Sequence, residues 1–265
     1  MTQSHPKQLR AFAQLALCEK NTQIKAAAIR AITADTLTIN PEVILNEAPD
    51  TPGRPCRPLL VKPRNLKNRS VGSLQGRAAL LHALTHIEAN AINLALDIIW
   101  RFPNMPEAFY EDWWKVAQEE SLHFELLNGH LSTLGFNYGD FPAHDGLWEM
   151  AEKTKFDLLA RLALVPRTLE ARGLDATPAV KNRLVSVGDQ AGAKILEVIL
   201  DDEIGHVAIG NYWFNFLCAR NKVDPLITFS QLARLYQAPK LNGPFNLEAR
   251  RAAGFKEEEL ALLDK

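Results

Sequence analysis

Apolar residues recur at helical spacing through most of the chain. Leu9, Phe12, Leu15 and Ala16 form one stripe and Ile24, Ala28, Ala31 and Ile32 another, so residues 7–33 predict two short helices with a turn near Asn21. A long helix follows over residues 74–102, with Leu81, Leu84, Thr85, Glu88, Ala91, Ile92, Ala95 and Ile99 on one face. Pro103 and Pro106 end it, because proline lacks the amide donor and clashes with a helix interior. A second long helix over 107–134 turns Trp113, Ala117, Glu120, Phe124, Leu127 and Leu131 inward. The glycine- and proline-bearing segment 135–146 reads as a crossover. A third helix is expected over 147–172, kinked by Pro166 near Leu162, with Gly173 to Pro178 ending it and Gly173 as its C′ residue. A short helix over 179–187, a reversal at Gly188-Asp189, and a fourth long helix over 189–220 complete the pattern. The inward face of that last helix is Ile195, Leu196, Ile199, Glu203, His206, Val207, Gly210 and Phe214. Beyond Pro225 a helix near 229–236 is expected, then a mixed tail over 243–265. The fold class is therefore all-α. It is organised as an N-terminal arm (1–73), a four-helix bundle (74–220) and a C-terminal extension (221–265) in one compact domain.

Carboxylates interrupt three of these apolar faces, and a buried carboxylate is costly unless paired or bound to a cation. Glu120 and His123 form Glu-x-x-His on the second helix, and Glu203 and His206 repeat it on the fourth. Residues three apart share a helix face, so each pair can hold a metal ion from one side. A bridging carboxylate from each of two further helices completes a two-metal site in a bundle. Glu88 precedes Glu120 by 32 residues, and Glu170 precedes Glu203 by 33. Glu88 and Glu120 each lie 16 residues from Asn104. Across an antiparallel hairpin both then sit about 24 Å from the turn, at one level. Glu149, Glu152 and Asp157 compete with Glu170 on the third helix. Four glutamates offset the charge of two divalent ions, which a low-dielectric interior tolerates. Glu119 and Asp202, each just before a ligand, are placed to orient the histidine of a facing helix. The bland alternative is two satisfied core histidines beside coincidental acids. His86, Asn90, Asn93 and Asp97 form a separate polar ridge, read as a buried hydrogen-bond network.

Composition changes little in this picture. The 265 residues carry 30 basic and 31 acidic side chains, so no global field favours nucleic acid or a membrane. Three cysteines at unrelated spacings predict neither a disulfide framework nor a Cys-x-x-Cys metal site, and point to a reducing cytoplasm. The absence of thiolate pairs favours iron or manganese over structural zinc. No apolar run is long enough to cross a bilayer. One local anomaly remains. Residues 51–77 contain no acid but seven cations: Arg54, Arg57, Lys62, Arg64, Lys67, Arg69 and Arg77. This is either an anion-facing patch or, as basic runs more often are, a solvated loop pinned by acids of the bundle.

Several stretches resemble an uncharacterised bacterial ferritin-like family, a domain-of-unknown-function group within the di-iron carboxylate superfamily. They are Gly76 to His82, His86-Ile87-Glu88, Asp112-Trp113, Tyr138 to Phe141, Glu170 to Asp175 and Asp202 to Val207. The chain is more distantly similar to the tRNA-modifying isopentenyladenosine hydroxylases. The resemblance implies a ferritin-like bundle with added N- and C-terminal helices, carrying two Fe ions, with Mn or a mixed Mn/Fe pair as alternatives. It implies no substrate. The expected activity is that of an O2-activating oxidoreductase, with a small molecule favoured over RNA as substrate, an external electron donor and a possible homodimer. A di-manganese peroxide-disproportionating enzyme and a non-catalytic iron store are the rival expectations.

Overall fold

The computed structural model describes residues 7–33, 36–48, 51–67 and 69–263. All the longer elements are helices. The only strand pairing among the described residues is a parallel contact of Lys7–Gln8 (β1) with Leu37–Thr38 (β2). The chain divides into two compact units, residues 1–145 and 146–265.

The first unit is built on two long helices, α3 (Leu74–Arg101) and α4 (Glu107–Thr133), packed as a hairpin. Ser73 begins α3 by accepting from the Gly76 amide at 3.1 Å, which satisfies one orphan donor of the first turn. Asn104 makes the reversal with φ at +62°, a conformation asparagine tolerates better than most residues. From Glu88 to Trp100 every residue of α3 is buried. Besides α4, α1 (Leu9–Cys18) also packs on α3, while α2 (Thr22–Arg30) packs on α4. Arg10 of α1 is buried and donates to the carbonyls of Ile99 at 3.0 Å and Trp100 at 2.7 Å, closing the C-terminal end of α3.

Lys25 of α2 is also buried. Its Nζ donates to Asn93 Oδ1 at 2.5 Å, Leu17 O at 3.2 Å and Gly53 O at 3.3 Å. Burial, and next the charge of Arg54, lower its ammonium to about 7, while these acceptors favour keeping the proton. The segment around Gly53 runs over the helices at very close range. The Gly53 amide donates to Leu17 O at 2.8 Å, and a Cβ at Gly53 would fall 2.1 Å from the Cys18 carbonyl oxygen. Further along, the Val61 amide donates to Ala143 O at 2.8 Å and the Ala143 amide donates to Leu59 O at 3.0 Å around an isolated Leu60–Ala143 bridge, strapping this segment to the chain that follows α4.

In the second unit the expected third helix is divided. It comprises α5 (Gly146–Lys153), α6 (Leu158–Leu164), a π-helical turn (Val165–Glu170) and α7 (Ala171–Ser186). Asp157 restarts the helix by accepting from the Ala160 amide at 2.9 Å. At Pro166 the expected irregularity takes the form of a π turn, where Thr168 Oγ1 donates to Ala163 O at 2.7 Å. Gly173 to Pro178 does not end a helix, and α7 runs through it. Pro178 cannot donate to the Leu174 carbonyl, but Asn246 Nδ2 does so at 3.2 Å, so the missing intrahelical bond is replaced from outside. Leu174 is itself buried with Ala171, Val207, Ala249 and Ala253.

The reversal into α8 (Gln190–Asn221) uses Gly188 at φ +81° and Asp189, whose side chain accepts from the Gly192 amide at 2.9 Å. Then come α9 (Pro225–Leu235), α10 (Leu247–Ala252) and α11 (Glu257–Leu260). Two buried arginines fasten this tail. Arg250 makes a bidentate pair with Asp175 at 2.6 and 3.0 Å. Arg167 meets Glu259 and donates to Asn211 Oδ1 at 2.7 Å, against the rings of Phe214, Phe229 and Phe255.

Candidate metal centre

In the first unit, the hairpin of α3 and α4 brings Glu88, Glu120 and His123 together, and all three are buried. One potential ligand atom from each lies within 4.8 Å of those of the others. His123 Nδ1 is 3.4 Å from Glu120 Oε2, one turn away on the same helix, and 3.5 Å from Glu88 Oε2 across the hairpin. The two glutamates are therefore level, as their equal distance from Asn104 requires.

The electrostatics of this cluster suit a cation. Burial, and next the charge of Glu120, push the Glu88 carboxyl well above the usual carboxylate range. Burial pulls the His123 imidazole down, but hydrogen bonds and charge from Glu120 and Glu88 outweigh it and lift it to about 11. Two carboxylates this close in a dry site cannot both stay ionised without positive charge between them. Either protons or a metal ion must supply it. The donor set is oxygen and imidazole nitrogen, as hard divalent metals prefer. Cys18, Cys56 and Cys218 are not joined in disulfides among the described residues and lie outside the cluster.

In the second unit, Glu203 and His206 of α8 are buried one turn apart, with Oε2 and Nδ1 separated by 3.9 Å. Glu170 is the last residue of the π turn and is half-buried, with its Oε2 enclosed. Glu149 and Glu152 are exposed, and Asp157 is engaged as a helix cap. Glu119 and Asp202 are half-buried, and Glu119 Oε1 lies 3.7 Å from Lys115 Nζ.

The polar ridge of α3 forms a network outside this cluster. His86 Nε2 lies between the Asn90 Nδ2 amide at 3.0 Å and the His144 carbonyl at 3.2 Å, and its Nδ1 meets the Tyr138 hydroxyl at 2.8 Å. Asn90 donates to His86 O, Asn93 holds Lys25, and Asp97 pairs with Arg101 at 2.7 Å. Sequence reasoning missed His82, Lys25 and Tyr138 as members of this layer. The one available signal was an aromatic ring in Asn137-Tyr138-Gly139, a stretch otherwise suited to a loop. Of the basic run, Arg54 pairs with Asp145 at 2.7 Å and Arg69 lies over the Phe141 ring.

An all-α chain with a buried carboxylate–imidazole cluster able to hold a metal ion is the class that fold and site define. The chain belongs to the family described as "Protein of unknown function (DUF455)", whose model matches residues 17–261. An "Uncharacterized protein" of Haemophilus influenzae is 49% identical over 213 residues, covering 78% of this chain and 74% of that protein. No solved structure matches the chain. No helix among the described residues is long and apolar enough to cross a membrane.

Proposed function

We propose that the protein is a dinuclear non-haem metal protein on a ferritin-like four-helix bundle, with iron as the preferred metal and O2-activating oxidoreduction as its activity. The observation that carries this reading is the buried Glu88–Glu120–His123 cluster, together with the repetition of its motif as Glu170, Glu203 and His206. The proposed ligands are these six side chains, with Glu119 and Asp202 orienting the histidines. Iron held by these side chains would supply the redox chemistry toward O2. The residues of this chain supply anionic oxygen donors, fix the imidazole orientation and exclude water. A small-molecule substrate is preferred to RNA, because Arg54 and Arg69 are already engaged within the protein. An external electron donor, a cytoplasmic setting and a homodimer complete the reading.

Elemental analysis of protein from its native host tests it. Close to two metal ions per chain are expected, and Glu120→Ala or His206→Ala should each lose at least one. Equal loading in parent and variants, or an empty parent after reconstitution with iron and manganese, would overturn the six-ligand centre. Two manganese ions with peroxide consumption, or bound iron with no O2 uptake beyond its own oxidation, would select the peroxide-disproportionating or storage alternative.

A further inference from the structure

A second concavity in the first unit lies where the metal centre does not reach. His86, Asn90 and Asn93 are turned roughly 140–200° around α3 from Glu88, at 100° per residue. They line a recess of about 30 Å³, roofed by Arg54 and Tyr138, that borders a cleft of about 400 Å³. Thr22, Pro55 and Tyr138 belong to both, so the recess and the cleft adjoin along these three residues. The cleft is of the size that holds a small metabolite. The recess is large enough for a water molecule or one small polar group of a ligand.

The charge of the lining is one-sided. Lys20 and Arg57 stand at the cleft and Arg54 at the recess, and no aspartate or glutamate lines either part. Asp145 meets Arg54 at 2.7 Å from outside the lining. Glu19 and Asp140 stand behind the lining, where they accept from the Asn21 and Asn137 amides at 2.7 Å each, so the charges that face the cleft are the cations. Deeper in, the character changes to neutral hydrogen-bonding groups. Burial lowers the His86 imidazole to about 4, so it is uncharged beside the Asn90 and Asn93 amides.

The walls are held in place. Gly53 sits so close to the Cys18 carbonyl that the segment carrying Arg54 and Arg57 has no room to slide. A Cβ at Gly139 would fall 3.1 Å from the Arg57 Cβ, so the other wall is equally near. Tyr138 is stacked on the rings of His82 and His86 and meets Phe124 edge-on. A site built before its ligand arrives avoids the ordering cost of forming it.

The geometry points to a binding site for a small organic oxyanion, a phosphate monoester or carboxylate, whose charged end meets Lys20 and Arg57 and whose neutral polar end enters the recess at Asn90 and Asn93. The site is separate from the metal centre and does not depend on the function proposed for it.

Calorimetric titration of the full chain with ribose 5-phosphate, gluconate and ribose tests the assignment. Saturable binding of either anion with ribose silent supports it, and the anion that binds identifies the chemical source. Lys20→Ala with Arg57→Ala should weaken that binding at least tenfold. Both side chains are exposed, so the double variant keeps its fold, checked by circular dichroism. Asn90→Leu should erase the preference for the sugar phosphate over inorganic phosphate. Glu120→Gln should bind like the parent, which separates the cleft from any metal-held anion. The assignment is overturned if neither anion binds below about 10 mM, a free energy under ~3 kcal/mol. It is equally overturned if ribose binds as well as the anions, or if the double variant binds unchanged.

Discussion

Gly210 of α8 receives the ring of Pro166: a Cβ there would lie 2.6 Å from Pro166 Cβ and 2.9 Å from its Cγ. Gly210 is one turn beyond His206, and Pro166 lies in the π turn that ends at Glu170, so this contact sets how closely the π turn approaches α8. Gly210→Ala would gain about 1 kcal/mol of helix propensity. It would also force a methyl into a rigid ring, at a cost of about 1–3 kcal/mol. Repulsion should win, giving a net loss of stability in urea unfolding together with a fall in metal content. A variant as stable as the parent would show that the π turn yields freely.

Metal removal should lower the melting temperature. A ligand bound only by the folded state adds ~2.7 kcal/mol at a hundredfold excess over Kd. Chelation removes this contribution and leaves the buried carboxylates to share protons. Glu203→Gln should shrink the effect. A melting curve indifferent to chelator, with loss of metal verified, would remove the linkage between metal and fold.

His82 sets a pH dependence. Its Nε2 accepts from the Gly139 amide at 2.9 Å, and burial lowers its imidazole from 6.5 to about 4. Between these values the unfolded chain binds more protons than the folded one. Stability should therefore fall as pH drops from 6.5 towards 4, by at most about 1.4 kcal/mol per pH unit from this group. His82→Phe should flatten the slope, while costing ~1–3 kcal/mol at neutral pH because the Gly139 amide loses its acceptor. Urea unfolding of both proteins at pH 7 and pH 5 decides it; parallel losses on acidification would exclude His82 as the cause.

Asp175→Asn should release the C-terminal tail. It leaves the buried Arg250 guanidinium with a weakened partner, and breaking a buried pair costs ~3–5 kcal/mol. Cleavage after residue 236 in limited proteolysis should speed up well before the core is attacked. Unchanged resistance would mean that Arg167 and its three phenylalanines hold the tail alone.

The long helices were legible because several signals agree on each. Around α3 and α4 the apolar stripe, Pro103, Pro106 and the level of Glu88 with Glu120 give one answer, and the observed bounds fall within a residue of it. At Gly188-Asp189 the glycine and the capping carboxylate do the same. The third helix was misread because its breakers are neutralised by distant partners. Pro178 is tolerated since Asn246, 68 residues later, serves the carbonyl it abandons. Asp157, weighed as a ligand, is a cap, and the two roles look alike in one dimension. Lys25 reads as a surface lysine, because its acceptors come from three separated stretches of chain. Half of the candidate centre was legible for the opposite reason: Glu-x-x-His is local, and its partner is fixed by counting residues from a single turn.

The three acceptors of Lys25 make its amine a clock. Leu17, Gly53 and Asn93 belong to α1, the overlying segment and α3, and the nitrogen is sealed only while all three remain docked. An acylating reagent needs an accessible, deprotonated amine, so it can reach Lys25 only during the intervals when α1, α3 or the segment at Gly53 moves away. Exposed lysines would be modified at once, whereas Lys25 would be modified at the rate of that movement. Where the reagent reacts faster than the structure recloses, mass-spectrometric labelling over time would therefore read out how often this packing comes loose in the folded protein.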